Sequence, residues 1–173
     1  MKIAFCGKMG AGKDASVEYL IKTYGGTKIA FSDPIYDIMH YTQKICGFNI
    51  EKDRKFLQWI GTEWGREKDP DIWINLAIKN APTIGNIYCS DCRFINELEA
   101  LKKDKWICIK LINNHRRDSK RVGSGDINHI SESQIDLISD DKWDYIVLND
   151  SSLTNLYDKI DKIVVNNFGY KKI

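Results

Sequence analysis

The chain's 173 residues are 43% hydrophobic, enough for one compact domain with a core and too few for two. Its 26 basic and 24 acidic residues leave a net charge of +2, a balance that excludes a protein coating nucleic acid and makes any basic site local. The five cysteines are odd in number and three of them sit in apolar runs, so reduced thiols in a cytoplasmic protein are expected rather than a disulfide framework.

A first strand is expected over 2–6, an apolar run too short for a signal peptide; no later stretch is long enough to span a bilayer, so a soluble protein is expected. Behind this strand GKMGAGK, at 7–13, has the spacing G-x-x-x-x-G-K and leads into a helix over 13–23. Strand, glycine loop and helix in that order are the context in which this spacing holds phosphate. Glycines let backbone N–H groups turn inward around phosphate oxygens, the helix amino end adds partial positive charge, and Lys13 reaches the outer phosphates. Asp14 stands where the usual pattern has a serine or threonine for magnesium. A carboxylate there either serves the ion, directly or through water, or caps the helix.

A second strand over 27–31 is followed by helices over 34–46, 54–67 and 71–80. Their tryptophans, Trp59, Trp64 and Trp73, are either core packing or platforms for a base. A third strand over 86–90 runs into Asp91, Arg93, Asn96 and Glu97. Ligands of an open parallel sheet bind beyond the carboxyl ends of its strands. That places Asp91 for a metal or its water and Arg93 for a transferred or acceptor phosphate; otherwise Asp91 caps the next helix and Arg93 is solvated. Cys89 and Cys92 form a single C-x-x-C without a second pair, which argues against a zinc or redox site. A helix over 95–103 and a strand over 106–112 come next. The segment 113–128, NNHRRDSKRVGSGDIN, is poor in apolar residues, basic at its start, and reads as a mobile loop. A helix over 131–138, a strand over 145–148 and a helix over 152–167 close the chain. Strands alternating with helices give an α/β fold: a parallel sheet of about five strands flanked by helices on both faces.

In order and spacing, GKMGAGKD (7–14), FSDPI (31–35), LQWIGTEWGR (57–66), DPDIWI (69–74), SDCRFINE (90–97), HISE (129–132) and DYIVLND (144–150) resemble the viral and phage deoxynucleoside monophosphate kinases, within the P-loop nucleoside monophosphate kinase class. The resemblance covers nearly the whole chain. That family and the related animal phosphomevalonate kinases carry aspartate after the P-loop lysine, so Asp14 matches a family trait. The resemblance implies one kinase domain over 1–173, with acceptor-binding helices at 34–80 and a lid at 113–130. It implies ATP and Mg2+ as cofactors, a deoxynucleoside 5′-monophosphate as acceptor, no nucleic-acid or membrane partner, and a cytoplasmic location, host cytoplasm for a viral protein. Homodimerisation is left open.

On the same resemblance, Gly7, Gly10, Ala11, Gly12, Lys13, Asp14, Ala15, Arg117 and Asn149 serve ATP, with Asn149 near the adenine. Lys13, Arg93, Arg116 and Arg121 act on the transferred phosphoryl group, joined in the lid by Lys120, and Asp14 and Asp91 hold magnesium. Asp33, Gln58, Trp59, Thr62, Arg66, Asp91, Arg93, Asp126, Asn128, His129 and Glu132 bind the acceptor. A kinase of phosphomevalonate or dephospho-coenzyme A is the alternative, and a nucleotide-dependent switch module is a more distant one.

Overall fold

The computed structural model describes residues 1–8, 10–113 and 134–170. Its strands are β1 (Lys2–Cys6), β2 (Thr27–Ile29), β3 (Ile87–Cys92), β4 (Ile107–Ile112) and β5 (Tyr145–Leu148), and every pairing is parallel, in the order β2-β3-β1-β4-β5. The helices are α1 (Lys13–Tyr24), α2 (Asp33–Ile45), α3 (Arg54–Gln58), α4 (Gly65–Lys68), α5 (Ile72–Asn80), α6 (Ile95–Lys103) and α7 (Leu153–Phe168), with a π-helical segment, Trp59–Trp64, joining α3 to α4.

Side chains of a strand point alternately to its two faces, and central β1 shows why its run is apolar throughout. Ile3 and Phe5 pack with Val17 and Leu20 of α1 and with Leu156, Ile160 and Val164 of α7. Ala4 and Cys6 face the other way, onto Ile35 of α2, Trp73 and Ile74 of α5 and Leu98 and Leu101 of α6. Both faces are covered, as the unbroken hydrophobic strands require. Among the described residues no helix is long and apolar enough to cross a membrane.

Several boundaries differ from the sequence expectation, each for a local reason. Strand β2 stops at Ile29 rather than at residue 31, because the amides of Phe31 and Ser32 turn to the carboxylate of Asp91, at 3.1 and 2.9 Å. Strand β3 runs on to Cys92, since a register shift after Ala4 lets Cys6 pair with Cys92. The helix expected over 54–67 contains the π turn, whose wider winding frees carbonyls. The carbonyl of Gly61 is taken by the indole Nε1–H of Trp73 at 2.8 Å. Of the helix expected over 131–138, the described part holds a 3-10 turn, Gln134–Leu137.

Helices α1 and α7 are locked by a polar contact beneath their apolar one. The hydroxyl of Tyr19 donates to both oxygens of buried Asp161, at 2.9 and 2.7 Å, and that of Tyr24 donates to Oδ1 at 2.9 Å. Asp161→Ala leaves two half-buried hydroxyls without this acceptor, at an expected cost of about 1–3 kcal/mol. A denaturant midpoint equal to that of the wild type would show that water replaces the carboxylate there.

Candidate active site

The loop after β1 is shaped by positions that only glycine fits. Gly7 has φ +145 and an added Cβ would run into the carbonyl of Leu111; Gly12 has φ +103 and its Cβ would lie 2.7 Å from Nδ2 of Asn149. Gly10, at φ +79, also occupies the left-handed region. Buried Lys13 points back into the loop, its ammonium donating to the carbonyls of Gly7 and Lys8 at 2.8 Å each. Ala11 is buried against the α1 and α7 face, and Ala15 lies half-buried in the first turn of α1. Asn149, at the end of β5, is tied to the loop itself. Its side-chain amide donates to the carbonyl of Ala11 at 2.9 Å, so it braces the loop from the end of β5.

Asp14 does not cap α1. The N-cap is Gly12, without a side-chain bond, and Oδ1 of Asp14 instead accepts from the ammonium of Lys28 at 2.8 Å and the hydroxyl of Ser90 at 2.7 Å. Partial burial pushes this carboxyl up, but the bonds from Lys28 and Ser90 outweigh it and hold the group below the usual carboxylate range. For Lys28 burial works downward, and the bond to Asp14 with the charges of Asp14, Asp91 and Asp33 carries its ammonium above the ordinary value.

Asp91 caps no helix after β3. Its two oxygens take the amides of Phe31 and Ser32, tying the end of β3 to the turn before α2. Asp33 accepts from the amide of Ala30 at 3.1 Å in that turn; burial, then the neighbouring Asp91, raises its carboxyl. As ligands for a hard cation the two expected carboxylates thus differ. Asp14 has a side chain 69% exposed, offers oxygen as magnesium demands, and lies beside the loop, so it fits. Asp91 is committed to backbone amides and fits less well. Among the described residues no cluster of three or more acidic, histidine or cysteine side chains is arranged for a metal. Cys6, Cys89, Cys92 and Cys108 are buried free thiols, and Cys46 is exposed.

Beyond the end of β3 opens a cavity of about 190 Å3, lined by Gln58, Thr62, Arg66, Asp91 and Arg93, all in the set expected at an acceptor, and by Tyr36, Lys52, Arg54, Phe94 and Glu97 among others. Strand β3 joins the two places: Ser90 bonds Asp14 beside the loop, and Asp91, the next residue, lines the cavity. Arg66 lies with its guanidinium 3.9 Å over the Phe94 ring, donates to the carbonyl of Pro70 at 3.1 Å, and forms an ion pair with Glu97. Glu97, 1% exposed, also accepts from the amides of Arg93 at 2.6 Å and Phe94 at 3.0 Å, which starts α6. Burial raises the Glu97 carboxyl despite the opposing pull of Arg66 and those amides.

The tryptophans are placed otherwise than a base platform requires. Trp59, expected at the acceptor, is 50% exposed, packs edge-on against Phe56 at 6.1 Å and does not line the cavity. Trp64 is exposed beside Lys68, and Trp73, 1% exposed, belongs to the core. The rings in the lining are those of Tyr36 and Phe94. Asp33 also lies outside the lining, in its turn. Arg116, Arg117, Lys120, Arg121, Asp126, Asn128, His129 and Glu132 fall outside the described residues. Sequence reasoning overlooked Lys28, Ser90, Tyr36, Lys52, Arg54 and Phe94. A lysine in the short strand TKI and a serine one residue before Asp91 were the available signals; Lys52, between two expected helices, and Arg54, at the start of one, had none.

No family model matches the chain. It is 36% identical over 165 residues to the uncharacterized protein ORF77 of Ictalurid herpesvirus 1 (strain Auburn), covering 91% of this chain and 68% of that protein. It is 24% identical over 196 residues to a protein of Acanthamoeba polyphaga mimivirus provisionally named a deoxynucleotide monophosphate kinase, covering 95% and 96%. Among solved structures, a gluconokinase from Sinorhizobium meliloti 1021 superposes with a TM-score of 0.56 at 11% identity, over 97% of this chain and 95% of that one. Shikimate kinase from Acinetobacter baumannii, in complex with shikimate, superposes with a TM-score of 0.52 at 15% identity, over 96% and 93%. The fold is that of the P-loop kinases.

Proposed function

The chain belongs to the family of the herpesvirus protein ORF77, and from its own site we propose that it is an ATP-dependent kinase whose acceptor is a deoxynucleoside 5′-monophosphate. The observation that carries this reading is the cavity at the end of β3, the strand whose Ser90 bonds Asp14, where Lys52, Arg54, Arg66 and Arg93 stand against only two carboxylates, Asp91 and Glu97. Such a lining favours an acceptor bearing a phosphate, because guanidinium groups match its oxygens in charge and geometry. Tyr36 and Phe94 offer faces for a flat base. The mimivirus relative's name supports the same acceptor class.

In this reading an oxygen of the acceptor phosphate attacks the γ-phosphorus of ATP. The bond from that phosphorus to the β–γ bridging oxygen breaks, and the electron pair leaves on ADP. The attacking oxygen is already anionic, so no general base is required, and the protein's work is alignment and neutralisation of charge. Lys13 exchanges the carbonyls of Gly7 and Lys8 for the outer phosphate oxygens. Arg93 holds the acceptor phosphate, while Gln58 and Thr62 read the edge of the base. Magnesium supplies charge neutralisation on the outer phosphates, and Asp14 is the residue that would hold it or its waters. Arg116, Arg117 and Arg121 are assigned to the transferred group, and Asp126, Asn128, His129 and Glu132 to the acceptor.

The test is a panel of deoxynucleoside and ribonucleoside monophosphates with ATP and magnesium, read by formation of the diphosphate, with phosphomevalonate and dephospho-coenzyme A beside them. At least one deoxynucleoside monophosphate is expected to be converted, and Arg93→Ala is expected to raise its KM roughly tenfold or more through loss of a charge-assisted contact. ATP affinity should stay unchanged. Conversion of one of the other two compounds alone would refute the acceptor assignment.

A further inference from the structure

The reading above leaves Lys28 without a role, and its position is unusual for a lysine in a short strand. It extends from β2 across the end of β3 to the first turn of α1, where its ammonium sits 2.8 Å from Oδ1 of Asp14. Ser90 donates to the same oxygen at 2.7 Å, which fixes the carboxylate from the β3 side. The charges around Lys28 are those of Asp14, Asp33 and Asp91. Lys13 also acts on Asp14 through its charge, but it is the Lys28 ammonium that bonds the carboxylate best suited to a divalent cation.

We propose that Lys28 is the counter-ion of Asp14 in the nucleotide-free protein and gives way to the divalent cation arriving with ATP, so that it sets the metal requirement for nucleotide binding. The proposal rests on the kinase reading and goes beyond it. Two cations at one carboxylate oxygen repel each other, and the cost falls on the one that can leave. Lys28 can leave: its side chain is 42% exposed, on a flexible stem that water will resolvate. Asp14 stays where Ser90 holds it. The ammonium neutralises Asp14 before the cation arrives, and it makes metal binding a competition.

The readout is the magnesium concentration that gives half-maximal binding of a fluorescent non-hydrolysable ATP analogue, with no turnover involved. Lys28→Met, similar in length and neutral, is expected to lower that midpoint roughly two- to fivefold, the scale of removing a partly exposed ion pair. Lys28→Arg should keep the wild-type midpoint. In an Asp14→Asn background Lys28→Met should shift nothing, since the competition is gone. A midpoint for Lys28→Met that is unchanged or higher would overturn the proposal and leave Lys28 as a brace. The wild-type protein supplies a second measurement that no folding defect can spoil: the ε-carbon NMR signal of Lys28 should move when magnesium is added to the complex with the analogue, and a stationary signal overturns the proposal. Binding of the analogue with a midpoint insensitive to Lys28 removes this inference alone. A wild-type protein that binds no analogue at any magnesium concentration removes the kinase reading with it.

Discussion

Lys13→Ala is expected to lower phosphoryl transfer by about 10²–10³-fold, or about 2.7–4 kcal/mol of transition-state stabilisation, as for loss of one preorganised charge contact on a developing anion. The ammonium is already inside the loop, on the carbonyls of Gly7 and Lys8 at 2.8 Å. It therefore reaches incoming phosphate by a short exchange of partners rather than by recruitment from solvent. The same bonds mean that the substitution also removes a strut. Circular dichroism and the thermal midpoint must accordingly be recorded with the transfer rate, and a folded variant within tenfold of wild-type activity would sink the assignment of the loop.

Arg66→Ala is expected to cost about 3–5 kcal/mol of stability, because it strands an almost fully buried carboxylate. Glu97 is 1% exposed and faces Arg66. The pH dependence gives the sign. Burial already raises the folded-state pKa of Glu97 above the ordinary glutamate value, and Arg66 opposes that rise. Without Arg66 the folded pKa climbs further. A carboxyl whose folded pKa is raised contributes most below its unfolded pKa and loses that contribution as pH rises through the folded one. The deficit of the variant should thus shrink as pH falls toward the ordinary glutamate range and be largest at neutral and alkaline pH. Urea unfolding at a series of pH values measures it. A deficit independent of pH would place the cost in lost packing over Phe94 rather than in the charge.

How much of this was legible beforehand differs from element to element. The phosphate loop could be read at once, because its requirements are local: glycines at left-handed φ and a lysine at fixed spacing are written in consecutive residues. The parallel sheet followed from apolar runs separated by helices, since strands buried on both faces show no alternation. Helix α6 and strand β5 fall at the expected residues for the same reason, having strong local patterns and clear turns at their ends.

What remained hidden depends on partners distant in the chain. Whether Asp14 caps or reaches out was undecidable until Ser90, 76 positions away, and Lys28 were seen at its oxygen. The end of β2 is decided by Asp91, 60 positions from Phe31, and the brace of the loop by Asn149, 138 positions from Ala11. The tryptophans show the limit most plainly. Trp59 and Trp64 bound one π-helical segment and Trp73 opens the next long helix, yet Trp73 is core, its indole N–H on the carbonyl of Gly61, and the other two lie at the surface. The sequence by itself determined the loop, the alternation of elements and the fold class, all properties of short spans and periodicity. Only the tertiary structure decided which charged groups meet across the ends of the strands, because a side chain's neighbours there come from packing and not from its place along the chain.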